Sequence, residues 1–244
     1  MAKKRGQITM IMALAIVMLI IAALTIYLLN YYKKNFTEPL VFEKASIENY
    51  INNCIKKTAE DGVRLLGKQG GYINLEDRIK AQNNIAVLSQ NNKSKVQSIA
   101  GMENELSAYV KNNLNSCLKN FRDFKSQGWQ VEAGSIKAAA KINENDVTFE
   151  ANFPMSVNSK GDTIKFERFV IMLNVRLKYV YELVDSIVDF KIKHNRDIDL
   201  KDAAKYDVEI VVFLHNKNII YTIYDYKSPI LNKPYMFIFG LEVD

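Results

Sequence analysis

The chain has 244 residues, a formal net charge of +6, 48% hydrophobic residues and two cysteines. Its basic character is local. Lys3, Lys4, Arg5, Lys33 and Lys34 face only Glu38 before residue 40, and the remainder nearly balances at 28 basic against 26 acidic residues. No basic stripe with interleaved aromatics occurs, which argues against nucleic acid as a partner.

The first predicted element is an apolar helix at 8–29. Ile8 to Leu29 contains no charge, glycine or proline. At about 1.5 Å per residue it spans roughly 33 Å, the thickness of a hydrocarbon core, so the lipid bilayer is the expected partner. Residues 1–7 form a basic N-terminus and 30–43 a juxtamembrane linker, with Tyr27, Tyr31 and Tyr32 as an interfacial belt. The positive-inside rule puts the N-terminus in the cytoplasm and the bulk of the chain outside. A cleaved secretory signal is the rival, but the apolar run is longer than usual and lacks a small-x-small exit, so an uncleaved signal-anchor fits better. Two sequons, at Asn35 and Asn92, are candidate glycosylation sites on an outside domain.

A helical region is expected over 44–125. Ile47, Tyr50, Ile51, Cys54, Ile55, Ala59, Val63 and Leu66 form one apolar stripe. Val96, Ile99, Met102, Leu106, Tyr109, Val110, Leu114, Cys117, Leu118 and Phe121 form another. Both cysteines lie on these faces, and antiparallel packing would bring them together. In an oxidising compartment a Cys54–Cys117 disulfide is expected, and loop-closure entropy suggests about 4 kcal/mol of stabilisation. The alternative is two small buried thiols. Gly67, Gly70 and Gly71 end the first helix; with no preceding strand and no following Lys-Ser/Thr, they do not read as a phosphate loop. Asn74 to Asp77 reads as a capped helix start, and 82–95, rich in asparagine, as a helix end and loop.

From 126 to 244 an α+β region follows, mainly an antiparallel sheet with one helix. Ile136 to Ile142 and Val147 to Phe153 alternate around an Asn143–Asp146 turn. A second turn near Gly161 leads to a strand through Ile164 and Val170, completing a meander. Asn174 to Lys193 returns to helical spacing. Val208–Leu214 and Ile219–Tyr226 read as strands around a tight turn, and Tyr235–Val243 as a last strand after the chain-breaking Pro229 and Pro234. The aromatic residues here read as core.

No catalytic, cofactor or metal constellation stands out. His194 and His215 both fall at turns, far apart in sequence. His194, Asp197, Asp199 and Asp202 cluster, but lack the central Gly and terminal Glu of a calcium loop. The pairs Glu103/Glu105 and Glu144/Asp146 read as exposed charge. The expectation is a non-enzymatic protein acting through protein contacts or self-assembly, with a tethered receptor or enzyme as the alternative.

Lys3-Lys4-Arg5-Gly6-Gln7-Ile8-Thr9 running into an apolar helix resembles the class III signal segments of archaeal type IV pilin-like proteins, which are cut between the Gly and the Gln. That resemblance implies processing at Gly6–Gln7 and filament-like packing of the helix. Those pilins carry a Glu where this chain has Ile11. The Cys54 helix, the Leu65–Tyr72 turn, the Cys117 helix and the Tyr-rich C-terminal region are similar to uncharacterised membrane-anchored proteins of small-genome (DPANN-type) archaea. This second resemblance implies an archaeal envelope protein and supplies no activity.

Overall fold

A computed structural model describes residues 3–76, 84–159, 162–194 and 200–243. The chain divides into two units, Met1–Asn49 and Tyr50–Asp244.

The first unit is formed by helix α1, which runs Lys3–Lys68 and continues into the second. Within it, Leu14–Tyr31 is long and apolar enough to cross a membrane, with a mean hydropathy of 2.3 and no buried residue. This window lies within the expected anchor except at its last two residues. Residues 30–43, expected as a linker, are helical in α1. They include Pro39, which has no N–H for the carbonyl four residues earlier.

The second unit is mixed α+β. From Tyr50, α1 buries Ile51, Cys54, Ile55, Ala59, Val63 and Leu66 and stops in a Schellman motif. Gly70 adopts φ +67°, and the Gly71 N–H reaches back to the Leu66 carbonyl at 2.8 Å. Gly67 is needed for a different reason: a Cβ there would lie 2.4 Å from the Met236 carbonyl oxygen. Helix α2, Ile99–Leu118, is capped by Ser98, which accepts from the Gly101 N–H, and buries Met102, Leu106, Val110, Leu114 and Leu118. A 3₁₀ turn at Lys119–Phe121 and a short helix α3, Arg122–Lys125, follow. Helix α4, Leu177–His194, and the short α5, Leu200–Ala203, lie between the two sheets in sequence.

One sheet has five strands: β1 (Val87–Gln90), β2 (Lys93–Ser94), β7 (Glu209–His215), β8 (Asn218–Ile230) and β9 (Lys233–Glu242), in the order β2-β1-β9-β8-β7. All neighbours are antiparallel except β1 and β9. The other sheet holds β3 (Gln130–Ala133), β4 (Lys137–Ile142), β5 (Val147–Ser159) and β6 (Asp162–Leu173). Here β3 and β4 both pair with one side of β5, and β6 pairs with the other. One apolar core joins both sheets to α2, α4 and the second-unit part of α1.

The expected hairpins, the expected meander (β4-β5-β6) and the helix at 174–193 are present. Five expectations for the second unit change. Residues 87–94 form β1 and β2, since the short Val87-Leu88-Ser89 run is buried beside β9. Strand β3 adds to the meander. The mainly antiparallel sheet is two sheets. Neither Pro229 nor Pro234 ends a strand: Pro229 lies in β8 where the β8–β9 register shifts between Asp225 and Ile230, and Pro234 lies within β9. Asn74–Glu76 is not helical, and Asp77 lies outside the described residues.

Candidate functional site

Cys54 and Cys117 form a disulfide with a Cα–Cα distance of 5.5 Å. Cys54 is buried, and Cys117, the penultimate residue of α2, is half-buried. The Tyr50 hydroxyl donates to the Leu118 carbonyl at 3.0 Å, satisfying a helix-end acceptor beside the bridge. Gly6, Gln7 and Asn35 lie in α1. Asn92 is exposed in the β1–β2 turn at φ +56°.

The acidic cluster does not assemble a site among the described residues. The His194 ring packs on Phe190 at 4.7 Å, and Asp202 accepts from Ser186 and from Lys205. Asp197 and Asp199 lie outside the described residues. No group of three or more His, Cys, Asp or Glu able to hold a metal occurs among the described residues.

Of the four carboxylates read as exposed charge, Glu144 is exposed, whereas Glu103, Glu105 and Asp146 are half-buried and bonded within the fold. Glu105 accepts from the Ile73 and Asn74 N–H groups, tying the turn after α1 to α2. Glu103 accepts from the Ile142 N–H at 2.9 Å, and Ser107, one turn along, accepts from the Ala140 N–H at 2.8 Å. Helix α2 thus hydrogen-bonds the outward amides of β4. Asp146 accepts from Asn143 and Thr148 and fixes the β4–β5 turn, while Glu144 pairs with Lys178.

A buried ion pair between residues far apart in sequence supports the β7–β8 hairpin. Asp225 is fully buried in β8. Its carboxylate accepts from Arg176 Nη2 at 2.5 Å and Nε at 3.1 Å, from the Ser228 hydroxyl at 2.5 Å and from the Lys227 N–H at 3.0 Å. Hydrogen bonding to Asp225 raises the Arg176 pKa above its already high value. Arg176 also stacks over Tyr179 at 4.4 Å and donates to the Asp207 carbonyl. Lys227 pairs with the Asp207 side chain and holds it below the usual carboxylate range. This network joins the start of α4, the entry to β7 and the irregular part of β8. The one sequence signal was a charge inside the aromatic run Tyr224-Asp225-Tyr226.

Strand β7 pairs with β8 on one side and, among the described residues, with no strand on the other. Val211, Val212, Phe213 and Leu214 are 41%, 46%, 48% and 68% exposed. A two-residue loop joins β7 to β8, with Asn216 at φ +55° and His215 opposite Asn218. In such a hairpin the residues closing the loop are a hydrogen-bonded pair. His215, Phe213, Val211 and Glu209 therefore bond toward β8, and Leu214, Val212 and Ile210 turn their N–H and C=O groups outward. The usual protections of an edge — a lysine mid-strand, a proline or a bulge — are absent here.

A cavity of about 260 Å³ lies between the end of α1 and the β8–β9 turn, lined by Arg64, Lys68, Tyr224, Lys233, Tyr235 and Met236 among others. Three cations line it, and Arg64 has only a loose contact with Asp61 at 3.6 Å. Burial pushes the Tyr235 phenol well above its ordinary pKa, and its hydroxyl finds no hydrogen-bond partner among the described residues.

No family model, curated protein or solved structure matches this chain.

Proposed function

We propose that this is a single-pass membrane protein whose folded unit lies outside the cytoplasm and acts through contacts with other proteins, as a structural or adhesive component of a cell envelope. The single observation that carries the contact reading is β7, a free strand edge with four successive exposed apolar residues. Contiguous exposed apolar surface marks interaction sites, and an open edge supplies directional backbone bonds as well. The Cys54–Cys117 bridge supports the outside placement, since such bonds persist in oxidising compartments. The Leu14–Tyr31 window supports the anchor. An archaeal setting, glycans on Asn35 or Asn92 and pilin-type cleavage belong to the same proposal. A mature N-terminus at Gln7 supports the cleavage; Met1 or Ala2 on the membrane-resident chain removes it.

The test of the contact reading is a photo-crosslinking residue at Val211, read in intact membranes, with the same residue at Ser94 on the opposite edge of the sheet. A protein adduct from Val211 that is absent from Ser94 is expected. Lipid adducts alone, or none, would overturn the reading.

A ligand-binding receptor is the second reading, favoured by the cation-lined cavity. Its ligand would be a small organic anion with an apolar body. Thermal stabilisation by benzoate that disappears in Arg64→Ala supports it, and no shift with benzoate removes it.

A further inference from the structure

We propose that the partner of β7 is β7 of a second copy of this chain, paired antiparallel about a two-fold axis through Val212. This inference rests on the contact reading above and names the partner.

The strand is built for that pairing. It has seven residues, Glu209–His215, and Val212 is its centre. An antiparallel two-fold through Val212 is the register in which all seven residues find partners. Val212 then faces its own copy, Val211 faces Phe213, Ile210 faces Leu214, and Glu209 faces His215. The five apolar residues meet only apolar residues, and the end carboxylates meet imidazoles. Moving the axis to Val211 sets Glu209 against Phe213 and leaves His215 beyond the partner strand. Moving it to Phe213 sets Val211 against His215 and leaves Glu209 beyond the strand. Matched pairs of this kind stabilise a ladder, and a mismatch of charge against aromatic does not.

The backbone agrees with the side chains. Val212 turns its N–H and C=O outward, so a two-fold there makes a hydrogen-bonded pair in which each copy donates one bond and accepts one. Ile210 and Leu214 add the flanking bonds. The five-stranded sheet becomes a continuous ten-stranded sheet. The contact is isologous, so it closes at two copies and does not propagate from this edge.

Burial also fits. Ile210, Val212 and Leu214 share a face with Ile223, Tyr221 and Ile219 of β8, their register partners. Tyr221 and Ile223 belong to the buried core, whereas Val212 and Leu214 are 46% and 68% exposed. The core layer therefore runs out at β7, and a second β7 extends it. A strand pair alone buries less area than a free dimer in solution needs. Two copies anchored in one bilayer meet at a raised effective concentration, which lowers that requirement.

The test uses the full chain reconstituted in phospholipid vesicles. The two native cysteines are bonded to each other, so an introduced cysteine is the only free thiol. Val212→Cys should give a product of twice the mass with a short bis-maleimide, and Ser94→Cys should not. Val211→Cys mixed with Phe213→Cys, with a copper–phenanthroline oxidant added, should form a disulfide that neither gives alone, because those positions face each other only in this register. Val212→Lys sets two lysines opposite each other on the axis and should weaken association by about tenfold or more, with the far-ultraviolet spectrum unchanged. If that variant misfolds, Val211→Glu serves in its place. Absence of the Val212→Cys product overturns the inference. If Val211 still captures a different protein in intact membranes, the contact reading survives that result; if it captures none, both fall.

Discussion

Strands β4 and β7 each present one side to no other strand, yet the fold treats them oppositely. The outward amides of Ala140 and Ile142 on β4 are taken up by Ser107 and Glu103 of α2. The outward groups of Ile210, Val212 and Leu214 on β7 meet nothing among the described residues. At the other end of the five-stranded sheet, β2 is two exposed residues long and includes Lys93. The outer strand β6 carries Lys165, Glu167 and Arg168. Cover, brevity and charge are the common ways to blunt an edge. Three edges use them and β7 does not. The difference locates the proposed contact surface better than any cluster of polar residues among the described residues.

The contrast can be broken first at its supports. Asp225→Ala leaves the Arg176 guanidinium largely buried without its counter-ion and should cost about 3–5 kcal/mol, read from the urea midpoint. It also removes the network beneath β7, so dimer formation should fall with stability. Removing the disulfide with Cys54→Ala and Cys117→Ala frees the helix that covers β4. The 63-residue separation implies a loss of about 4 kcal/mol, measured as a lower thermal midpoint. Next, Glu103→Ala or Ser107→Ala leaves a β4 amide without its acceptor. Each should cost about 1–3 kcal/mol and speed exchange of the Ile142 or the Ala140 amide respectively. The smallest effect on stability sharpens the contrast most. Val212→Lys on the exposed strand should change monomer stability by within about 0.5 kcal/mol while weakening self-association by about tenfold or more.

Much of this frame was legible from residue order. The apolar run at 8–29 needs only composition to be read. The cysteine pairing followed from two helical stripes that put Cys54 and Cys117 on facing sides. Alternation located β4, β5, β6, β7 and β8, whose partners lie one turn away in sequence. Strand β1 was missed because Val87-Leu88-Ser89 is short, asparagine-flanked, and paired with Gly240 and Leu241 on a strand that local pattern cannot reach. The Arg176–Asp225 pair spans 49 residues and depends on the irregular register of β8. The apolar character of β7 was visible in the sequence. That β7 stands at an edge, with apolar residues on both faces exposed, depends on strand order, which is a property of the assembled sheet.

The account is tested most directly by amide hydrogen exchange on the full chain in a lipid bilayer, comparing wild type with Val212→Lys. The Ile210, Val212 and Leu214 amides should be protected in the wild type and exchange rapidly in the variant, while Ala140 and Ile142 stay protected in both. Rapid exchange of those three amides in the wild type, or protection that survives Val212→Lys, would contradict it.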